Sequence, residues 1–317
     1  MLQQTQVATV IPYYERFLRQ FPDVRALAAA PLESVMAAWA GLGYYSRARL
    51  LHRCARLLVD EHRGEFPTDA QSLSRLPGIG RSTAAAIAAF AGGERAAILD
   101  GNVKRVLARQ FGIEGYPGAA PVERALWALA EALLPDAGIE AYTQGLMDLG
   151  ATVCTRSRPT CEVCPVADSC AARGTDRTKV LPTPKPAQTR PIRIGALLVI
   201  RDATGAVLLE PRPPRGIWGG LLSLPEFDAE AEDETLVDAA QSRYALRIRI
   251  ADRLASVRHE FTHFSFVMQP RIADVLGASG VASTPMRFLS PHELEAAPLP
   301  APIRRLLRGI TAAAEAS

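Results

Sequence analysis

Apolar residues recur every three or four positions through most of the first 150 residues, which is the spacing of one helix face. The pattern predicts helices over residues 7–21, 24–30, 32–40, 48–62, 103–111, 122–134 and 140–149. It also predicts a short helix ending near residue 76 and an alanine-rich helix from about residue 81. Glycine and proline punctuate the ends of these segments. The first half is therefore expected to be nearly all α-helical.

The pattern changes after residue 174. Residues 175–191 contain four prolines and few apolar residues, which is typical of a linker. Beyond them, period-two apolar runs predict strands over 192–201 and 206–209, joined as a hairpin, and further strands over 248–257 and 264–271. Helices are predicted over 232–242 and 301–314. We therefore expect a helical domain at 1–174, a linker at 175–191 and an α+β domain at 192–317.

Composition and charge narrow the class of protein. The chain has 317 residues, 48% of them hydrophobic, which is enough for two domain cores. No apolar run reaches the roughly 20 residues of a membrane span, and the start MLQQTQVATV lacks the features of a signal peptide. We therefore expect a cytoplasmic protein. The net charge of +3 is only a weak indication of nucleic-acid binding. Residues 156–193, however, hold eight basic and three acidic residues, which is compatible with a surface that faces phosphates.

Four of the five cysteines crowd one short segment. Cys154, Cys161, Cys164 and Cys170 follow the spacing C-x6-C-x2-C-x5-C, whereas Cys54 stands alone and is expected to be a buried small residue. Four thiolates in one loop need a metal to offset their charge, and the choices are zinc or a [4Fe–4S] cluster.

A second feature is the segment LPGIGR at residues 76–81, with LDGN at 99–102 following it. Gly78 and Gly80 allow a tight turn, and the next helix would begin with N–H groups able to bind an anion such as a DNA phosphate. The alternative for this segment is an ordinary corner between two helices. Asp100 could likewise be no more than a helix N-cap.

These residues resemble the helix-hairpin-helix DNA glycosylases, and the match is closest to the adenine DNA glycosylases. It rests on MLQQTQV, GLGYY at 41–45, LDGNVKRV at 99–106 and the cysteine loop, and it covers nearly the whole chain. The resemblance implies an all-α helix-hairpin-helix domain with a [4Fe–4S] cluster on the four cysteines, and an α+β Nudix-like domain. The cluster is expected to be structural rather than redox-active.

The resemblance also implies roles for single residues. Asp100 would stabilise the oxocarbenium-like sugar or attack it. Contacts to DNA are implied for Gln4 and Tyr44, which would wedge into the duplex, and for Gly78, Gly80, Ser82, Asn102 and Lys104. Ser82 stands where glycosylases with lyase activity carry a lysine, and a serine cannot form an imine, so a monofunctional enzyme is expected. Lys104 could instead trap an abasic aldehyde, or be a solvated residue.

One expected residue does not occur in the sequence. The family's catalytic glutamate lies just upstream of the MLQQT motif, and this chain begins at Met1. Our hypothesis is a start codon assigned too late, with a true truncation or a lesion-binding protein without excision activity as alternatives. The chain as written is expected to be severely impaired in base excision.

The second domain shows its own resemblance. EPRPPRGIWGGL at 210–221 and LPE at 224–226 resemble the Nudix-like domain of the same family. Residues 229–245 lack the glutamate-rich pattern of Nudix hydrolases, which indicates a lesion reader. The family loop that contacts 8-oxoguanine is matched by Phe261, Thr262 and His263, with Thr262 where a serine is usual; His259 and His263 could instead be ordinary strand residues.

The sequence therefore predicts a monofunctional base-excision repair glycosylase that removes adenine paired with 8-oxoguanine or guanine in double-stranded DNA. The alternatives are the lesion-binding protein and a bifunctional glycosylase/lyase like endonuclease III. We expect a monomer in the bacterial cytoplasm, associated with the nucleoid.

Overall fold

A computed structural model describes residues 1–2, 5–186, 189–214 and 216–315. The chain forms two compact units. The first unit combines residues 1–56 with 189–317, and the second is the continuous stretch 57–188. The domain limits predicted from the sequence stay a prediction.

Helices make up the first half of the chain, as predicted. They are α1 (Val7–Gln20), α2 (Val24–Ala29), α3 (Leu32–Trp39), α4 (Ser46–His62), α5 (Ala70–Leu73), α6 (Arg81–Gly92), α7 (Gly101–Gln110), α8 (Ala120–Ala132), α9 (Ile139–Asp148) and α10 (Ala171–Gly174). A π-helical turn (Leu149–Val153) and a 3-10 turn (Cys161–Val163) lie between α9 and α10. The seven helices of this half that were predicted with both a first and a last residue are confirmed, and their observed ends differ from the predicted ends by at most two residues.

The second half forms one mixed sheet. Its strands are β1 (Ile192–Arg201), β2 (Val207–Pro211), β3 (Leu222–Ser223), β4 (Glu226–Asp228), β5 (Leu246–Arg253), β6 (Val257–Glu260), β7 (Ser265–Ala278) and β8 (Arg287–Leu289). The central order is β3-β2-β1-β7-β5, with β1 parallel to β7 and the other pairs antiparallel. The predicted β1–β2 hairpin is confirmed. A single strand over 248–257 is wrong, because β5 ends at Arg253 and β6 begins at Val257.

Strand β1 is buried on both faces, which accounts for its continuous apolar run. On one face, Leu198 and Ile200 pack against Leu236 and Ala240 of α11 (Asp233–Tyr244). On the other, Leu197 and Val199 share a core with residues of α1, α3 and α13 (Ala301–Glu315). The helix α12 (Pro291–Ala296) precedes α13. Helices from the start of the chain thus complete the core of its C-terminal sheet.

The second unit has a core of small and medium side chains. Ala85 of α6 packs with Leu99, with Val103 and Leu107 of α7, and with Leu126 of α8. The alanines of α6 let neighbouring backbones approach, and this places the turn before α6 and the loop before α7 on one framework. Across the described ranges, no helix is both long enough and apolar enough to cross a membrane.

Candidate active site and DNA-binding elements

The hairpin between α5 and α6 turns at Gly78, whose φ of +82° favours glycine. Gly80 is the N-cap of α6 and has an ordinary φ of −85°. Apart from its chain neighbours and the backbone of its own helix, a Cβ placed on Gly80 would meet no atom of the described residues within 4 Å. Neither internal crowding nor backbone strain therefore requires Gly80 to be glycine. The space beside it lies open at the start of a helix whose N-cap offers no side chain, which is the geometry that admits an external anion.

Asp100 is the N-cap of α7. Its Oδ1 accepts a hydrogen bond from the Val103 N–H at 2.8 Å, so the carboxylate is fixed to the helix end. Among the described residues no donor reaches the second oxygen, Oδ2, and the side chain is partly exposed. Capping and catalysis are therefore compatible, because one oxygen anchors the group and the other can face a substrate.

Ser82 lies in the first turn of α6 and connects the hairpin to the Asp100 loop. Its hydroxyl oxygen accepts a hydrogen bond from the Leu99 N–H at 2.9 Å. Leu99 directly precedes Asp100, so this bond fixes the peptide that presents the carboxylate. The sequence identified Ser82 as the replacement of a lysine and as an implied DNA contact, and gave no sign of this hydrogen bond.

Two basic residues next to these elements are paired with glutamates of α8. The Nζ of Lys104 lies 2.5 Å from Oε1 of Glu123, and the Lys104 side chain is only 21% exposed. Arg81, the first residue of α6, forms an ion pair with Glu131. Its guanidinium also lies 3.7 Å from the ring centre of Trp127. Lys104 is thus an ion-paired residue rather than a freely solvated one, and Arg81 was missed from the sequence.

Asn102 and Arg105 join α7 to the start of the cysteine loop. Arg105 donates to Oδ1 of Asn102 at 2.8 Å, to the Gly150 carbonyl at 2.6 Å and to the Cys154 carbonyl at 2.7 Å. Burial lowers the pKa of Arg105 from its ordinary value. Asn102 also lies so close to Gly150 that a Cβ there would come within 2.6 Å of the asparagine Cβ. In this structure Asn102 therefore supports the loop.

Arg109, one turn further along α7, is 2% exposed. Its guanidinium donates to the carbonyls of Leu181 at 2.8 Å, Thr155 at 2.7 Å and Arg156 at 3.0 Å. It also lies 3.3 Å from Sγ of Cys154. Arg105 and Arg109 together fix the cysteine loop to the helix that begins at Asp100, and neither was found from the sequence.

The four predicted cysteine ligands line one cavity, together with Arg109. Burial raises the pKa of the Cys161 thiol, and Glu162 and the other three sulfurs raise it further. The thiol donor set fits zinc or an iron–sulfur cluster. In the part of the chain that the structure describes, however, no group of three or more possible ligands is arranged to hold a metal ion. The structure gathers the four sulfurs without giving them ligand geometry.

Tyr44 lies on a strained turn of the first unit. Gly41, Gly43 and Tyr44 all have positive φ, of 104°, 71° and 48°. An aromatic residue in this region is uncommon, and such strain is concentrated at functional sites. The Tyr44 side chain is 51% exposed, with the Arg47 guanidinium 5.4 Å from its ring centre. The ring is thus half exposed beside a guanidinium, and its role in DNA binding stays a prediction, whereas Gln4, its predicted companion, lies outside the described residues.

The predicted lesion-recognition residues form the tip between β6 and β7. The Phe261 N–H donates to the Phe264 carbonyl at 2.9 Å, and the two rings stack with centres 4.7 Å apart. Phe261 also packs against Trp218, at 5.5 Å between ring centres. Phe261 therefore anchors the tip, and Thr262 and His263 are its exposed residues.

Comparison with known proteins identifies the families to which the two halves of the chain are similar. Residues 1–132 match the HhH-GPD superfamily of base excision DNA repair proteins, and residues 196–309 match the NUDIX domain family. The solved structure of a thermostable thymine-DNA glycosylase is similar, with a TM-score of 0.50 and 30% identity over 55% of this chain and 80% of that one. The fold and motifs thus define a helix-hairpin-helix base-excision DNA glycosylase, a class of hydrolases acting on N-glycosyl bonds, with an added Nudix-like domain.

Two relatives narrow the class to a family. The chain is 33% identical to the adenine DNA glycosylase of Buchnera aphidicola from Acyrthosiphon pisum, over 85% of this chain and 76% of that protein. It is 35% identical to the human adenine DNA glycosylase over 97% of this chain and 66% of that protein. The chain belongs to the adenine DNA glycosylase family.

Proposed function

We propose that the protein removes adenine mispaired with 8-oxoguanine or guanine in double-stranded DNA, as a monofunctional glycosylase of base-excision repair. The observation that carries the proposal is the Asp100 carboxylate. One of its oxygens is bound to the Val103 N–H at 2.8 Å, and the other is left for a substrate. The family shared with the Buchnera and human adenine DNA glycosylases supplies the class of substrate.

Each of these elements has a separate role in the proposed base excision. The open N-terminus of α6 at Gly80 binds a DNA phosphate, and the adenine leaves the stack because its glycosidic bond is otherwise out of reach. Tyr44 fills the gap with a flat ring. Asp100 then stabilises the positive charge that develops at the sugar, or attacks it to form a transient link. Protonation of the leaving adenine needs an acid, and the family resemblance assigns it to a glutamate upstream of the MLQQT motif.

Two contacts favour the monofunctional reaction over the lyase alternative. The Ser82 side chain has no amine, and its hydroxyl is already bound to the Leu99 N–H. Lys104, the candidate for adventitious trapping, is engaged by Glu123 at 2.5 Å. A strand break through an imine requires a free amine at the sugar. Ser82 has no amine, and Lys104 is held by Glu123, or by a phosphate once DNA is bound.

We further propose that Cys154, Cys161, Cys164 and Cys170 hold a [4Fe–4S] cluster, which when bound supplies cross-links that fix a basic loop for DNA. The common cavity of the four thiols and the arginine contacts to the Cys154 carbonyl and sulfur support this assignment. Iron and sulfide analysis of the purified protein should give four of each per chain. One zinc ion per chain would overturn the cluster assignment.

The test of the main proposal is single-turnover adenine release from duplexes with A:8-oxoguanine, A:G or A:T, by this chain and by one extended through the upstream in-frame codons. Asp100→Asn is the matched variant, because asparagine is an equally good N-cap and removes only the charge. We expect faster release from the two mispairs than from A:T, and loss of release in Asp100→Asn with unchanged binding.

Other outcomes distinguish the alternatives. Tight binding of the mispair by both chains without any release would identify a lesion-binding protein. Strand nicking without added base would identify a bifunctional glycosylase/lyase. Contact between 8-oxoguanine and the exposed Thr262 and His263 should appear as a loss of preference for A:8-oxoguanine over A:G when both residues are replaced by alanine.

A further inference from the structure

Helix α8 lies beside both elements that the proposed function assigns to DNA. Its Glu123 is paired with Lys104, two residues after Asn102, and its Glu131 is paired with Arg81, next to Gly80. The two glutamates are eight positions apart in the sequence. At the rise of an α-helix they are separated by about 12 Å along α8. One helix therefore neutralises a cation next to the hairpin, Arg81, and a cation four residues after Asp100, Lys104.

We propose that Arg81 and Lys104 are phosphate-binding residues, and that Glu123 and Glu131 are built-in competitors of DNA phosphate at these two cations. This inference rests on the proposed function, because it assumes that the hairpin and the start of α7 face DNA. The ligand is the phosphodiester backbone, and the glutamate carboxylates occupy the positions that phosphate oxygens would take. DNA binding then exchanges two internal ion pairs for two pairs with the backbone.

The geometry of the two ion pairs is compatible with replacement of each glutamate by a DNA phosphate. Arg81 and Glu131 are both more than half exposed, and exposed ion pairs contribute little stability. Trp127 keeps Arg81 in place independently of Glu131, since the guanidinium lies 3.7 Å from its ring centre. The Lys104–Glu123 pair is less exposed, at 21% and 41%, so its carboxylate competes more strongly.

The consequence is a lower affinity for every duplex, damaged or not. Phosphate contacts fix the position of a protein on DNA but carry no sequence information. The glutamates should therefore weaken binding to undamaged DNA and to mispaired DNA by the same factor. Such a device limits the time that the protein spends on the large excess of undamaged sites, without altering its preference for the lesion.

The test measures the affinity of the full chain for an undamaged duplex and for an A:8-oxoguanine duplex, over a series of KCl concentrations. All proteins carry Asp100→Asn to prevent turnover. Glu123→Gln and Glu131→Gln are each expected to tighten binding to both duplexes about two- to fivefold. The slope of log K against log salt should steepen by up to about 0.9 for each glutamate removed. Thermal unfolding of each variant shows whether a change in folding contributes.

Matched variants keep the test decisive. Glu295→Gln removes the same charge from an exposed ion pair with Arg308, remote in sequence from α8, and should change neither affinity nor slope. Arg81→Gln and Lys104→Gln should weaken binding and make the slope shallower. Two outcomes would overturn the inference and leave the DNA-binding surface in place. In the first, Arg81→Gln and Lys104→Gln weaken DNA binding but the two glutamate variants of α8 do not tighten it. In the second, Glu295→Gln tightens DNA binding as much as the α8 variants do. If Arg81→Gln and Lys104→Gln change nothing, the placement of DNA on this surface is wrong as well.

Discussion

Replacing Arg109 by methionine is expected to free the cysteine loop from α7. The guanidinium is buried and donates to backbone carbonyls on both sides of the loop, at Thr155 and Leu181. Methionine keeps much of the aliphatic stem and removes every donor. The loop should therefore open locally, while the helical core of the second unit, which Arg109 does not fill, stays folded.

The magnitude follows from the carbonyls that lose their donor. A buried acceptor left without a partner costs about 1–3 kcal/mol. We count Leu181, which is buried, and Thr155, which is partly buried, and we leave out Arg156 because that residue is exposed and water can replace the bond. The expected cost is therefore about 2–6 kcal/mol. At about 1.4 kcal/mol for each factor of ten, even the lower limit is roughly a 30-fold change in the opening equilibrium.

Hydrogen exchange measures this opening directly, because a local opening free energy sets the protection of the amides it exposes. Peptides covering residues 154–181 should exchange at least about 30-fold faster in Arg109→Met, with little change in α6 and α8. Arg173→Met is the control, since the guanidinium of Arg173, in the same loop, forms an exposed ion pair with Asp168 at 3.3 Å, although the Arg173 side chain also lines the cysteine cavity. It should change exchange by less than about fivefold. Equal effects of the two substitutions would refute the role given to Arg109.

Three further predictions concern the site. Ser82→Ala should lower the single-turnover rate with little effect on DNA affinity, because the Leu99 N–H loses its acceptor next to the Asp100 carboxylate. Ser82→Thr should restore the rate, and equal rates for all three proteins would contradict the positioning role. Tyr44→Asn should change the free energy of unfolding by less than about 1 kcal/mol, since asparagine tolerates positive φ. It should reduce the rate of adenine release from duplex DNA, and an unchanged rate would argue against insertion of Tyr44 into the duplex. Burial and Arg305 hold the pKa of folded His259 below 6.5, so the unfolded state binds more protons than the folded state. The contribution of His259 to the free energy of unfolding, measured with urea, should therefore be complete above about pH 6.5 and should fall as the pH is lowered through the folded pKa. His259→Phe should remove this part of the pH dependence, and an identical pH profile in the variant would show that another group is responsible.

Elements with many repeats of their pattern could be predicted from the sequence, and very short ones could not. The long helices and β1 were predicted because several turns or alternations fix their period. Strands β3, β4 and β8 have only two or three residues each, too few for a period to show. Helix α12 was missed although its capping box, formed by Ser290 and Glu293, can be read in the sequence.

The site divides in the same way between local and distant contacts. Residues within motifs, such as Gly78 and Asp100, were predicted because their neighbours in the sequence determine the turn and the cap. Arg105 and Arg109 were not, because their partners are backbone carbonyls more than 40 residues away, which leave no trace in the spacing of side chains. The pairing of Arg81 with Glu131 was missed for the same reason, since nothing local couples α6 to α8.

The discontinuous first unit has a consequence for how the chain is made. Val35, Met36 and Trp39 near its start share a core with strands that begin only at residue 192. At about 5–20 residues per second, the ribosome needs roughly 10–40 s after residue 56 to complete the sheet through β7. During that time the continuous second unit can fold, but the apolar faces of α1 and α3 stay exposed to water because their partner strands are not yet made. A chain that stops short of the sheet would leave those faces uncovered for good, so nonsense mutations in the second half should yield aggregation-prone products rather than a working N-terminal fragment.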